Sequence, residues 1–227
     1  MKKQAARARN SGETQGAILR AAENEFAEKG FSGARVDKIA ASAGVNKALL
    51  YHYFHDKHRL YATVLERLMK RVAEKLSGVV VGLEGDRAEN VLRKVFAAYF
   101  DVVKAEPAYA RLFIREAAAG WETIREIEDA GTTSMVGAES VDTTLGALLP
   151  VLARGAAAGE LRGDLDFTFL ISMAGAFCRF SFLLMPRLQL LYPAPLDNDG
   201  VLARARDQII ELFLNGIIAR GAAPANN

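Results

Sequence analysis

The sequence predicts an all-α protein in which a small N-terminal three-helix domain precedes a larger C-terminal helical domain. Three observations carry this prediction. Apolar residues recur every three or four positions through most of the chain without sustained alternation, which is the helical period. No proline precedes Pro107, so no proline interrupts a helix within residues 1–106. The 227 residues, 51% of them apolar, suffice for a small domain and a larger one.

Glycines bound the first two predicted helices. Residues 13–29 form the first, and Gly30 stands where a left-handed residue commonly ends a helix. A short turn follows over residues 31–35. The second helix, residues 36–43, ends at Gly44.

The next two helices begin at side-chain caps. Asn46 can accept an unpaired backbone N–H of a helix over residues 47–54, and Asp56 can do the same for a fourth helix over residues 57–76. Apolar residues that these short helices turn inward form the expected core of the domain. They are Ile39, Val45, Leu50 and Phe54.

Six further helices are predicted. They span residues 87–104, 107–119, 121–129, 141–158, 166–185 and 200–220. Residues 130–140 are expected to be a loop, and Pro186 is expected to end or kink the helix before it. Residues 79–81 are the one weak strand candidate, and the shortness of this run favours the frayed end of a helix.

These elements divide the chain into four segments. A basic flexible arm occupies residues 1–12, the three-helix domain residues 13–60, the larger helical domain residues 61–220, and a flexible tail residues 221–227. The boundary between the two domains is expected inside the fourth helix, which would join them rigidly.

Positive charge is concentrated at the N-terminus. Residues 1–60 carry 11 basic and 6 acidic residues, whereas residues 61–227 carry 18 basic and 21 acidic residues. The N-terminal domain therefore suits a polyanionic partner, and the remainder does not.

Cysteine content and hydropathy indicate a soluble, cytoplasmic protein. Cys178 is the only cysteine, so no intrachain disulfide can form and a reducing compartment is expected. It is most simply a small buried hydrophobe, with a redox-sensing role left open. No apolar segment follows the basic N-terminal residues, which excludes a signal peptide. The uncharged stretch of residues 167–178 is too short to span a bilayer before Arg179.

Two short helices joined by a glycine-containing turn describe a helix-turn-helix motif, whose second helix enters the DNA major groove. The N-terminal end of that helix reads base edges, and polar or aromatic side chains around it bind phosphates. The basic arm, residues 1–12, adds nonspecific attraction or enters a minor groove. The expected DNA-binding residues are Arg35, Lys38, Asn46, Lys47, Ala48, Leu49, Tyr51, His52, Tyr53 and Lys57.

A long pattern surrounds this motif. It reads Ile39-Ala40-x-x-Ala43-Gly44-Val45-Asn46-Lys47-x-x-Leu50-Tyr51-x-Tyr53-Phe54-x-x-Lys57-x-x-Leu60. Upstream, the chain reads Ile18-Leu19-x-Ala21-Ala22-x-x-x-Phe26-x-x-x-Gly30-Phe31. Over about residues 13–65 these patterns resemble the TetR family of bacterial transcriptional regulators. Residues 159–166 are similar, more loosely, to a turn often seen before the dimer helices of that family. Arg35, Ala48 and Leu49 depart from the residues frequent in the family, which bears on the operator sequence and not on the fold.

The resemblance implies a ligand-responsive regulator, most simply a repressor, that works as a homodimer. Segments 166–185 and 200–220 would pair with their symmetry mates in a four-helix interface. Such a dimer places two recognition helices about 34 to 36 Å apart, one turn of B-DNA, and so reads a pseudo-palindromic operator. An effector in the C-terminal domain would displace the fourth helix and release the DNA, provided that it binds the DNA-incompetent conformation more tightly.

The resemblance also implies an effector pocket between the helices of the larger domain. Aromatic and apolar side chains at helical spacings are its candidate lining, although core packing is the simpler explanation for any one of them. The candidates are Phe96, Tyr99, Phe100, Phe113, Trp121, Met173, Phe177 and Phe180. Such a lining suits a small apolar or aromatic effector, with Arg115, Glu116 and Arg179 as polar anchors.

Other function classes find little support. The chain lacks the phosphate-binding, nucleophile and zinc-binding motifs of common enzymes, and a protein-binding adaptor would not explain the basic N-terminal domain. No cofactor is expected. His52, His55 and His58 are three residues apart, but Asp56 interrupts the helix between them and no cysteine accompanies them, so a metal site is disfavoured.

Overall fold

The computed structural model describes residues 2–83, 85–129, 138–191 and 198–218. These residues form ten α-helices and no strand beyond an isolated bridge between Leu161 and Ile218, which confirms the all-α prediction. The helices are α1 (Lys2–Gly33), α2 (Val36–Ser42), α3 (Lys47–Phe54), α4 (Lys57–Val81), α5 (Ala88–Ala105), α6 (Pro107–Ala118), α7 (Glu122–Asp129), α8 (Ala138–Ala157), α9 (Phe167–Leu191) and α10 (Asn198–Ile217). Most of the expected loop, residues 130–137, and the expected tail, residues 221–227, lie outside the described residues.

Three helices differ from the prediction by more than three residues at an end. α1 begins at Lys2, so the segment expected to be a flexible arm is helical, as its content of alanine, arginine, lysine and glutamine allows. α4 continues to Val81 and takes up the weak strand candidate. α9 continues to Leu191, so Pro186 does not end it; the single hydrogen bond that a proline removes does not outweigh the apolar helical pattern on both sides. The side chains of residues 2–10 lie outside the description.

The chain divides into two compact units. The first comprises residues 1–70 and 106–138, and the second residues 71–105 and 139–227. One boundary between them falls inside α4. The predicted domain over residues 61–220 is not one unit, however, because α6 and α7 pack with the N-terminal helices.

An aromatic cluster lies in the core of the first unit. The Phe26 ring meets the Tyr61 ring edge-on with 4.8 Å between centroids, and the Phe31 ring lies 5.2 Å from that of Tyr61. Ile39 of α2 and Leu50 of α3 are fully buried in the same unit. Burying a side chain of this size stabilises a fold by about 1.5–3 kcal/mol. This core therefore holds α2 and α3, which are too short to persist alone.

A second core joins α5, α8, α9 and α10. Val91 and Leu148 are fully buried in it, and Leu92, Leu152 and Leu214 are nearly so. Residues three and four positions apart on each helix meet on one face, and these faces together form the core of the second unit.

α9 is more apolar than one buried face requires. Its window Phe167–Leu184 has a mean hydropathy of 1.7, yet only 17% of that window is buried. By length and composition the window could cross a membrane, and at 18 residues it is longer than the uncharged stretch of residues 167–178. The window is longer because it includes Arg179, through which α9 continues as the predicted helix over residues 166–185 does. An apolar face left uncovered in this way marks a surface for another apolar partner.

Candidate nucleic-acid interface and ligand cavities

α2 and α3 are joined by a tight turn at Gly44. Its φ of 69° lies in the left-handed region, which glycine adopts without a steric cost. The N–H groups of Gly44 and Val45 donate to the carbonyl oxygens of Ala41 and Ala40 at 3.1 and 3.0 Å. These hydrogen bonds close the end of α2, and the chain then enters α3. The predicted helix-turn-helix is therefore present.

Asn46 starts α3 as the sequence predicts. Its Oδ1 accepts the backbone N–H of Leu49 at 2.7 Å. Leu50 and Phe54, at positions i and i+4 of α3, are both buried. Their burial sets the rotation of α3 about its own axis. The side chains of its N-terminal turn consequently face solvent.

All ten predicted DNA-binding residues lie at the surface of the first unit. Six are exposed, namely Arg35, Lys38, Asn46, Lys47, Ala48 and His52. The other four are partly buried, namely Leu49, Tyr51, Tyr53 and Lys57. Val45, which the sequence predicts as core, is also only partly buried. None of the ten is fully buried.

Lys47, at the start of α3, is held by two neighbours. Its Nζ lies 2.9 Å from Asp37 Oδ1 and 5.9 Å from the centroid of the Tyr51 ring. Sequence reasoning missed Asp37. An acidic residue in the first turn of a helix interacts favourably with the helix dipole. Because this role explains Asp37 on its own, nothing in the sequence indicated a contact with Lys47.

Lys57 serves the fold as well as the surface. Its ammonium lies 4.7 Å from the centroid of the Phe31 ring and 3.5 Å from the carbonyl oxygen of Ser32. Burial lowers the pKa of Lys57. Lys57 therefore links the start of α4 to the end of α1. A lysine that only bound phosphate would be surrounded by solvent and would not make these contacts.

A strained turn links α3 to α4. His55 has a φ of 61° and a ψ of −56°, and the N–H of Asp56 donates to the Phe54 carbonyl at 2.7 Å. This is a γ-turn of the rare positive-φ kind. Asp56 then caps α4, as predicted, by accepting the N–H of Arg59 at 2.8 Å. Within the described part of the chain, no three histidine, cysteine or acidic side chains are grouped as a metal site would require.

Comparison with known proteins decides the family. Residues 18–64 match the family model described as bacterial regulatory proteins, tetR family, and residues 89–213 match the one described as tetracyclin repressor-like, C-terminal domain. The protein belongs to the TetR family. It is therefore a DNA-binding, ligand-responsive transcriptional regulator and not an enzyme.

This TetR-family protein is similar to named regulators over most of its length. It is 27% identical over 179 residues to the HTH-type transcriptional repressor NicS of Pseudomonas putida, covering 79% of this chain and 80% of that protein. It is 24% identical over 204 residues to the HTH-type transcriptional regulator RutR of Escherichia coli O157:H7, covering 90% of each chain. A solved TetR family transcription regulator from Marinobacter aquaeolei VT8 shares the fold, with a TM-score of 0.69 and 20% identity over 93% of this chain and 99% of that one.

The eight predicted effector residues of this TetR-family protein do not line one pocket. Those in the first unit are Phe113 and Trp121. Those buried in the second unit are Phe96, Tyr99 and Phe100. Those on the outer face of α9 are Met173, Phe177 and Phe180. These last three are 43% to 53% exposed, and they border neither of the two cavities described below. Their spacing showed that they share a helix face, and it could not show that the face is outward.

Each unit of the TetR-family protein holds a small cavity with room for about one water molecule. In the first unit, residues of α4, α6 and α7 enclose the space, and in the second unit residues of α5, α9 and α10 do so. The first cavity is bordered by Leu65, Phe113, Glu116 and Trp121, among others. The second is bordered by Phe96, Phe100, Cys178 and Phe213, among others.

All three predicted polar anchors have hydrogen-bond partners within their own unit. Arg179 donates to the Tyr99 hydroxyl, and Arg115 donates to the carbonyl oxygen of Glu28 at 2.9 Å. Beside Arg179, burial raises the pKa of the Cys178 thiol to about 11. A thiol with a raised pKa agrees with a small buried hydrophobe and not with a reactive cysteine.

The third predicted anchor, Glu116, is 3% exposed and accepts a hydrogen bond from the Tyr61 hydroxyl at 2.5 Å. Burial, and after it this hydrogen bond, raises the pKa of Tyr61. Sequence reasoning missed Tyr61, because the two residues are 55 positions apart and no local pattern connects them.

Proposed function

We propose that the protein is a repressor that binds a pseudo-palindromic operator as a homodimer and leaves it when a small apolar or aromatic effector binds. The observation that carries the proposal is the orientation of α3. Its Leu50 and Phe54 are buried, so Lys47 and Ala48 at its N-terminal end are exposed to solvent. Repression is supported by the similarity to NicS, a transcriptional repressor. Because it acts on DNA, we expect the protein in the cytoplasm.

Base reading is assigned to the N-terminal turn of α3. Lys47 donates to guanine O6 or N7, and Ala48 and Leu49 contact thymine methyl groups. Asn46 acts through the helix cap that holds this turn in place. Phosphate contacts fix the register on the duplex and carry no sequence information themselves. The side chains assigned to phosphates are Arg35, Lys38, Tyr51, His52, Tyr53 and Lys57.

Homodimerisation is supported by an exposed apolar stripe on α9. It consists of Phe169, Met173, Phe177, Phe180 and Leu184, which are 37% to 60% exposed. They recur at intervals of three or four residues, so they share one helix face roughly 22 Å long. A second copy that presents the same stripe covers it in a two-fold packing. Leu212 of α10 is also exposed, at 71%.

The cavity of the first unit is the better placed of the two for an effector. It lies in the same compact unit as α3, so a ligand that enlarges it acts on the helices that hold the recognition helix. Because the cavity has room for about one water molecule, a ligand has to displace α4, α6 or α7 to enter. The ligand weakens DNA binding to the extent that it binds the displaced conformation more tightly.

Selection from a random-sequence duplex library tests the proposal. We expect a two-fold symmetric site with half-sites about 10 base pairs apart, and an affinity that falls steeply with salt. Lys47→Ala is expected to change the selected sequence. Lys38→Ala is expected to weaken binding to all sequences and to lower the salt slope by about one. Lys94→Ala, in the second unit, is the control and leaves both unchanged. A protein that selects no sequence contradicts the proposal.

A further inference from the structure

One polar atom at the cavity of the first unit has no hydrogen-bond partner among the residues that the structure describes. Glu116 is 3% exposed, and its Oε1 accepts the hydrogen bond from Tyr61. Its Oε2 is buried and forms no hydrogen bond with any residue that the structure describes. Glu116 also borders the cavity itself. The carboxyl group therefore brings an unused hydrogen-bond acceptor to a mostly apolar space.

Tyr61 cannot satisfy this second oxygen. A tyrosine hydroxyl has one proton, and that of Tyr61 is already donated to Oε1. Burial raises the pKa of Tyr61, so the hydroxyl keeps this proton at neutral pH. A buried carboxyl oxygen without a donor is destabilising, and the donor has to come from a molecule that enters the cavity.

The rest of the cavity wall is apolar and aromatic. The Phe113 and Trp121 rings meet edge-on with 4.8 Å between centroids, and the Tyr109 ring lies 5.8 Å from that of Phe113. Leu65 and Leu68 of α4 also line the cavity. Aromatic rings attract organic cations through their faces, and aliphatic side chains accept an apolar body.

We infer that Glu116 is the recognition point for an effector that carries an ammonium group on an apolar body. The ammonium donates to Oε2 and adds a positive charge beside this carboxyl group. The apolar body lies against Phe113 and Trp121. This inference rests on the proposed function, because it names the effector class for the same cavity.

Trp121 reports directly on this site, because it is the single tryptophan of the chain and borders the cavity. The probes are benzylamine and phenethylamine, compared with benzyl and phenethyl alcohol and with benzoate and phenylacetate. We expect the amines to change tryptophan fluorescence saturably. The alcohols, which donate a hydrogen bond but carry no charge, are expected to bind about tenfold more weakly. The carboxylates, which cannot donate, are expected to cause no change.

Glu116→Gln keeps the side-chain volume and removes the charge, and it is expected to weaken amine binding about tenfold. Glu122→Gln, at an exposed position in the first turn of α7, is the matched control and is expected to bind as the wild type does. Circular dichroism shows whether each variant is folded. If Glu116→Gln does not fold, the comparison of amine with alcohol on the wild-type protein decides the question alone.

Three results overturn the inference: an amine that binds no tighter than its alcohol, amine binding unaffected by Glu116→Gln, or no saturable change with either amine. The third is expected if a single buried water donates to Oε2 and no ligand enters. The selection of duplex DNA is independent of these measurements. If the protein binds an operator but no amine, this inference fails and the proposed function stands. If it binds the amines but selects no operator, the proposed function fails and the assignment of Glu116 as an ammonium site stands.

Discussion

The ammonium of Lys47 at the start of α3 pairs with the carboxylate of Asp37 in α2, with 2.9 Å between Nζ and Oδ1. Both side chains are about half exposed, so water and salt screen the pair. The hydrogen bond between them raises the pKa of Lys47 and lowers that of Asp37. The lysine assigned to base reading is thus oriented by the other helix of the motif before it meets DNA.

Replacing Asp37 by asparagine is expected to raise the affinity for duplex DNA of any sequence. The substitution removes a negative charge beside the phosphates and the partner that holds Lys47. The slope of log affinity against log salt is expected to steepen by about 0.9 for each additional phosphate that the protein neutralises. Fluorescence anisotropy with operator and scrambled duplexes measures both quantities. Asp86→Asn is the control, since Asp86 pairs with Lys94 at 3.2 Å in the second unit. Equal salt slopes for the wild type and D37N would contradict a role for the pair at the interface.

Asn46→Ala is expected to lower the free energy of unfolding by about 1 kcal/mol. Alanine cannot accept the Leu49 N–H, which Asn46 Oδ1 accepts at 2.7 Å. Asn46→Ser retains an acceptor and is expected to stay close to the wild type. Urea unfolding measures the difference, at one protein concentration because the stability of a dimer depends on concentration. If the alanine and serine variants unfold alike, the cap contributes nothing.

A charge on the α9 stripe is expected to separate the homodimer. Phe169→Asp and Phe180→Asp each bury a carboxylate in the proposed apolar interface and remove an aromatic ring from it. Loss of one aromatic anchor typically costs about 2 kcal/mol, which raises the dissociation constant about 30-fold. Sedimentation velocity measures this change. Val81→Asp, at a position 63% exposed on α4, is the matched control. Stripe variants that remain as dimeric as V81D would exclude this face.

Gly155→Ala is expected to destabilise the second unit by about 1–3 kcal/mol through overpacking. A Cβ at Gly155 of α8 would collide with the Cβ of Ala88 and lie 3.2 Å from Leu161 Cδ1. Gly78→Ala provides the opposite case, because a Cβ at this exposed position of α4 meets nothing within 4 Å. There, replacing glycine by alanine in a helix is expected to stabilise by up to about 1 kcal/mol. Thermal unfolding compares the two, and equal melting temperatures would show that α8 yields to the added methyl group.

Stability is expected to fall as the pH rises above about 10, the ordinary pKa of tyrosine. Burial and Glu116 raise the pKa of Tyr61 in the folded protein, so above this pH the unfolded chain loses a proton that the folded chain retains. Deprotonation then favours the unfolded state. Melting temperatures measured against pH, for the wild type and for Tyr61→Phe, test this effect. The phenylalanine variant is expected to be less stable at neutral pH and less sensitive to alkali. Parallel curves would mean that Tyr61 does not contribute.

The features that sequence reasoning predicted correctly depend on residues close together in the chain. The Asn46 and Asp56 caps each join groups three residues apart, and the turn at Gly44 joins α2 directly to α3. The extents of the helices were less predictable. The N-terminal arm proved helical and α9 runs past Pro186, because residue preferences set only a bias that neighbouring turns can override.

The amino-acid sequence by itself determined the helical elements, their caps and the family, since these follow from short-range periodicity and a linear pattern of residues. Only the tertiary structure decided that α6 and α7 join the N-terminal unit, that Phe169, Phe177 and Phe180 of α9 are exposed, and that Glu116 meets Tyr61. The physical reason is that periodicity shows which side chains share a helix face. What covers that face is decided by contacts between residues far apart in the chain.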